Sequence, residues 1–294
     1  MKSLFIIVVA AVVLMGGYFV LGQREKANTT IQSVEQDLSQ VPIQSHRTYS
    51  IKVVSNAKNI QPSQETKLVY KIENERGELL KNFEITHEKL MHFIVVRKDL
   101  QYFQHLHPDF NKETGEFSVA ITFPTDGPYR LFSDFAPKKD GTIEPLPATL
   151  NYDVEVGKMD NYKPIAMVAD TQPSKSVGAY LVGVSVNKPV VEANSAYTLT
   201  IKRNGQPVTN LEQYLGALGH SVLLKEDTLN YIHTHAMEGM GSGPAIMFHT
   251  TFPEPGLYRT FTQFQHEGKV QLVEYALSVS ELSTTQTETT EMGR

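Results

Sequence analysis

The chain has 294 residues, 40% apolar and 20% charged, a composition that supports packed cores and argues against wholesale disorder. It has no cysteine, which excludes a disulfide framework, a thiol nucleophile, Cys-ligated zinc, thioether-attached haem, a blue-copper centre and a lipoprotein acceptor. The net charge of −5, with no strong basic block, argues against nucleic acid as a partner.

Residues 3–22 (SLFIIVVAAVVLMGGYFVLG) run for twenty positions without a charge. As a helix they span roughly 30 Å, the hydrocarbon thickness of a bilayer. The run is long for a signal peptide, and Gln23-Arg24-Glu25-Lys26 follows it rather than an A-x-A-like site. Residues 1–26 are therefore read as an uncleaved membrane anchor, with a cleaved signal peptide as the alternative. Lys2 and the α-amino group before the run, against a sum of +1 after it, favour a single pass with the body extracytoplasmic. Cleavage would instead make the protein secreted.

Residues 27–45 read as a polar stalk and 282–294 as a disordered, Thr-rich tail. Between them short β-branched and aromatic runs dominate, separated by Gly, Pro, Asn and Asp. Tyr49–Val54, Lys67–Ile72, Phe93–Val96, Glu116–Phe123, Tyr129–Phe135 and Leu150–Val156 form one series. Tyr180–Val186, Tyr197–Lys202, Ser221–Leu224, Met247–Phe252, Tyr258–Phe264 and Val270–Val279 form a second. The expected fold is all-β: two tandem immunoglobulin-like β-sandwich domains after an N-terminal transmembrane helix.

The two series repeat. MHFIVVRKDLQYFQHLHP (91–108) matches GHSVLLKEDTLNYIHTHA (219–236) without a gap, placing His92 on His220, Asp99 on Asp227, His105 on His233 and His107 on His235. ITFPTDGPYRLFSDF (121–135) matches TTFPEPGLYRTFTQF (250–264) at eight of fifteen positions. The repeats are placed at 46–156 and 178–281, with 157–177 as linker. The shared G-x-Y-R-x-F reads as structural, a Gly turn feeding a tyrosine corner.

Each repeat thus carries His-x12-His-x-His. Positions i and i+2 of a strand share a face. If the preceding hairpin turns near 98–99, His92 faces His105; a turn one residue further on places it opposite His107. In either register three imidazoles converge, a ligand set suited to copper or zinc; an intervening register would place His92 opposite position 106, on the other face. The candidate metal ligands are His92, His105, His107, His220, His233 and His235. Asp109, Met237, Glu238 and Met91 are candidate fourth ligands. Asp99 and Asp227 read as turn residues, and His46, His87, His249 and His266 as solvated surface, with His87 able to supplement the first site. Met237, Met240 and Met247 could offer thioethers to Cu(I) but read first as loop and core. The competing reading is that the histidines form hydrogen-bonded networks.

The M/G-H strand, the polar turn and F/Y-x-H-x-H-P, followed by F-P-x-x-G-x-Y-R, resemble the YtkA-like and FixH-like domains of extracytoplasmic bacterial proteins. The resemblance rests on His92–Pro108 with Phe123–Phe135, and on His220–His235 with Phe252–Phe264; Ala236 departs from it where the first repeat has Pro108. It implies an immunoglobulin-like fold in a setting of copper or heavy-metal handling. The expected function is a membrane-anchored extracytoplasmic metal-binding protein that buffers, delivers or senses copper or zinc. The alternative is a non-catalytic structural or protein-interaction module with an extracytoplasmic partner. A metallohydrolase is the third reading: Glu88 could act as its base, but Gly216 stands at that position in the second repeat, and no hydrolase motif appears. The protein is therefore read as not an enzyme.

Overall fold

The structure, a computed structural model, describes residues 48–55, 59–139, 146–187, 189–239 and 241–281. The expected anchor, the stalk, His46, Met240 and the tail lie outside the described residues. Among the described residues no helix is long and apolar enough to cross a membrane.

The first repeat supplies β1 (Tyr49–Val53), β2 (Glu65–Asn74), β3 (Phe83–Glu84), β4 (His92–Arg97), β5 (Phe103–Leu106), β6 (Asp109–Asn111), β7 (Glu116–Thr122), β8 (Gly127–Pro137) and β9 (Ala148–Val156). The second supplies β10 (Ser174–Val177), β11 (Tyr180–Asn187), β12 (Asn194–Arg203), β13 (Gln206–Pro207), β14 (Gly219–Lys225), β15 (Tyr231–His235), β16 (Ala245–Thr251), β17 (Gly256–His266) and β18 (Lys269–Val279). The all-β fold is as expected. Each repeat is a sandwich of two antiparallel sheets. In the first, β1-β2-β7-β6 faces β3-β8-β4-β5, with β9 added beside β8. In the second, β10-β11-β12-β13, with β16 beside β12, faces β15-β14-β17-β18.

Alternation on the strands explains the first packing layer. Phe93 and Val95 of β4 and Leu131 and Phe135 of β8 point into the first sandwich, against Tyr70, Phe117 and Ile121 of the opposite sheet. The G-x-Y-R-x-F motif turns the chain into β8 and β17. Its glycines have φ of 137° and 134°, values that L side chains rarely adopt. Its tyrosines make the corner bonds: Tyr129 Oη–H donates to Thr125 O (3.0 Å) and Tyr258 Oη–H to Glu254 O (2.9 Å).

The second layer explains why β4 and β14 do not alternate in burial. Both are buried on both faces. Ile94 and Val96 of β4, with Phe132 of β8, turn away from their own core. They pack on Val222, Leu224 and Phe261 of the second repeat, with Leu100, Phe103 and Leu229. The β8-β4-β5 sheet of one repeat is therefore stacked on the β17-β14-β15 sheet of the other. Phe103 stacks on Phe261 (centroids 4.5 Å, 10° between planes) and Phe132 on Tyr231 (4.9 Å, 30°). Exchanging the repeats maps one pair onto the other, so the contact has a pseudo-two-fold axis.

The segment read as a linker is bound to both repeats. Its Ile165 N–H donates to Asp99 and its Met167 N–H to Glu226, on equivalent hairpin turns. Met167 is buried in the layer between the sandwiches. Strand β10 begins at Ser174, inside that segment.

Candidate metal centre

The hairpin register decides where the imidazoles point. In the second repeat His220 pairs with His235, and Val222 with His233. In the first, Phe93 pairs with Leu106 and Ile94 with His105, which places His92 opposite His107. The turn falls one residue beyond 98–99, the second of the two expected registers. Leu100 and Leu229 take the left-handed conformation there (φ 57° and 55°). Asp99 accepts the Gln101 N–H, and Asp227 the Thr228 N–H, as turn residues do.

His92, His105 and His107 share the face of Ile94 and Val96, and His220, His233 and His235 share that of Val222 and Leu224. Both triplets therefore lie on the faces that meet between the repeats. The apolar residues fill the end of this layer near the hairpin turns, and the imidazoles fill the other end.

The structure brings together two groups whose ligand atoms lie within 4.8 Å of one another: His92, His105 and His107, and His87, His220 and His235. His87 belongs to the first repeat and completes the second repeat's group. It sits on a two-residue turn, where Thr86 and Lys89 exchange both backbone hydrogen bonds and His87 and Glu88 both have positive φ. Its ring stacks on His235 at 3.6 Å. The expectation of solvated surface, or of a supplement to the first site, is corrected for His87. Leu215 occupies the equivalent position, so matching the repeats gave no sign of it. His233 is outside both groups of three, though its ring lies 4.6 Å from that of His235.

The outer hydrogen bonds fix the tautomers. His92 Nε2–H donates to the Thr86 carbonyl (3.0 Å) and His220 Nε2–H to that of Leu215 (3.1 Å), so each turns an Nδ1 lone pair inward. The remaining two bonds cross between the repeats at pseudo-equivalent positions. His105 Nδ1–H donates to Gln263 Oε1 (2.8 Å) and His233 Nδ1–H to Asp134 Oδ2 (2.7 Å). His105 Nε2 lies 3.0 Å from His92 Nδ1, joining the two rings within their group. His107 Nε2, His220 Nδ1, His233 Nε2 and His235 Nε2 are buried without a hydrogen-bond partner.

Burial keeps these rings neutral. It pushes His92 down to about 4, against the Thr86 bond, and His107 to about 4. It pushes His220 to about 3 and His235 to about 2, with the repulsion that neighbouring protonated imidazoles would exert next in effect on both. His105 falls well below the ordinary value for the same first reason, and His87 also falls. Burial raises the Asp134 carboxyl, but the hydrogen bond to His233 and the nearby imidazoles outweigh it, and the net shift is downward. Neutral imidazoles, with the second nitrogen of His92, His105, His220 and His233 held by an outer partner, suit a metal.

Among the described residues, two cavities border both His87 and His235. One of about 340 Å³ is bounded by His87, His92, Asp134, Tyr231, His233 and His235. A second, of about 640 Å³, opens between His87 and His235 beside Met237 and Glu238. Met91 is buried in the first sandwich core, and Asp109 is exposed on β6 in the other sheet. His266, expected on the surface, is buried: its Nδ1 pairs with Tyr180 Oη (2.8 Å) and its Nε2 with Asn210 Oδ1 (3.2 Å). His249 is exposed and bonds Asn194.

The model of a family described as a domain of unknown function, DUF8832, matches residues 45–154 and again 175–281. This supports two copies of one domain; the likeness to YtkA-like and FixH-like domains finds no support there. No curated protein matches. Among solved structures, the PKD domain of human VPS10 domain-containing receptor SorCS2 is 15% identical (TM-score 0.23), covering 48% of this chain and 96% of that one. The Escherichia coli adhesin FdeC is 14% identical (TM-score 0.24), covering 79% and 63%. Domains 5–6 of the S-layer protein SbsC are 14% identical (TM-score 0.23), covering 81% and 100%.

Proposed function

Because the chain belongs to the DUF8832 family, whose description names no activity, we propose from the site's own chemistry that it is a non-catalytic metal-binding protein. Imidazoles from both repeats take copper or zinc for buffering, delivery or sensing. Residues 3–22 hold the protein in the membrane, with its body outside the cytoplasm. The observation that carries this reading is the four buried nitrogens of His107, His220, His233 and His235 without hydrogen-bond partners, beside two groups of imidazoles whose ligand atoms lie within 4.8 Å of one another. Such an arrangement is costly with nothing between the nitrogens and favourable around a cation. The imidazole-only donor set suits copper and zinc alike.

The test is titration of the full chain in detergent with copper and with zinc, alongside His105→Ala/His107→Ala and His233→Ala/His235→Ala. Wild type is expected to bind and each double variant to lose affinity; equally weak binding by all three sinks the reading. Two bonds favour the structural alternative, His105 to Gln263 and His233 to Asp134, because they tie the repeats together. In that case the double variants unfold more easily without metal and wild type takes up none. Protease digestion of intact cells tests the topology: the body is cut from outside if the orientation is right and protected if it is not.

A further inference from the structure

The two histidine groups adjoin. The ring of His92, in the first group, lies 5.9 Å from His87 and 6.3 Å from His220 of the second. His233 stands among them, 5.5 Å from His92, 5.9 Å from His220 and 4.6 Å from His235. Its Nδ1–H is committed to Asp134, and its Nε2 is buried and unpartnered. A carboxylate that orients one imidazole nitrogen while the other carries a free lone pair is the usual outer support of a metal ligand.

The count of imidazoles then differs between the groups. With His233 Nε2 as a further ligand, the group of His87, His220 and His235 would number four, enough for a closed tetrahedral shell. His92, His105 and His107 remain three, which leaves one position open. Resting on the metal-binding reading, we propose that the seven imidazoles form one dinuclear centre: a closed four-histidine site, and an adjoining three-histidine site whose open position takes water or a small anion. Asp134 is the carboxylate bonded to this cluster. It is a positioning residue for His233 and offsets part of the charge of two cations.

Cu(II) is the probe, added stepwise to the full chain in detergent. Bound copper is measured by equilibrium dialysis and the state of the ions by frozen-solution electron paramagnetic resonance. The expected result is two copper ions per chain, with the signal per ion falling as the second binds, because the neighbouring spins couple. His107→Ala is expected to bind one ion and give an uncoupled signal. His233→Ala is expected to weaken one of the two ions by about tenfold or more. One ion in wild type, or two that give the full signal of independent centres, overturns the dinuclear proposal and leaves metal binding standing. The absence of bound copper overturns the dinuclear proposal; if zinc is not taken up either, metal binding falls with it.

Discussion

The two repeats share a sandwich, a tyrosine corner and a histidine triplet, yet they settle their middle histidine differently. His105 bonds a neutral amide, Gln263, and stays 3.0 Å from His92 within its own group. His233 bonds a carboxylate, Asp134, and its place beside His235 and His220 is taken by His87 from the other repeat. Two substitutions at equivalent positions account for this: Asp134 against Gln263, and His87 against Leu215. Duplication supplies the scaffold and its pseudo-axis; single residues outside the repeated motif decide which nitrogens meet.

Acid offers the largest test of that comparison. His92, His105, His107, His220 and His235 all have folded-state pKa values below the ordinary 6.5. The folded chain then binds fewer protons than the unfolded one, so the metal-free protein keeps full stability above about pH 6.5 and loses it as pH falls toward the folded values. At about 1.4 kcal/mol per pKa unit, the five rings together outweigh any single substitution. Denaturant titrations at neutral and acidic pH check the sign. Nuclear magnetic resonance checks the order: His92 and His107 protonate near 4, and His220 and His235 only below that. The reverse order would break the comparison.

Truncating the stacked rings comes next. Phe261→Ala and Phe132→Ala should each cost about 3–5 kcal/mol in chemical denaturation, by similar amounts if the pseudo-axis holds. His87→Leu copies the second repeat's residue into the first. It should weaken one metal ion by more than about a hundredfold, beyond the range of a lost outer partner, and leave the other unchanged in competition titrations. Asp134→Asn keeps a hydrogen-bond acceptor without its charge and should weaken the ion beside His233 by about tenfold, with little effect at His92. The smallest effect belongs to the shared corner: Tyr129→Phe and Tyr258→Phe should each lower stability by about 0.5–1.5 kcal/mol in thermal melts, nearly equally.

Much of this was legible in residue spacing. Period-two alternation and Gly-Pro punctuation gave the strands, and the gapless match of 91–108 to 219–236 gave the duplication. The hairpin register stayed open between two choices because both put the histidines on one face; a left-handed residue at Leu100 decided it. The apolar runs of β4 and β14 read only as strands; their burial on both faces comes from packing on the other repeat, a partner surface that no local pattern names. His87 was hidden because it lacks a counterpart, and His266 because a position two residues before Gly268 looks like a loop when it closes β17.

The pairing of the two sheets carries one more consequence. Contacts that exchange under a two-fold axis are those of an isologous interface, the kind two identical subunits make. Placing both partners in one chain turns that association into an intramolecular event, independent of protein concentration. It also removes a constraint that binds every homodimer: a residue changed on one side must change on the other. A lone His87 opposite Leu215, and a lone Asp134 opposite Gln263, are open to a fused pair and closed to a symmetric one.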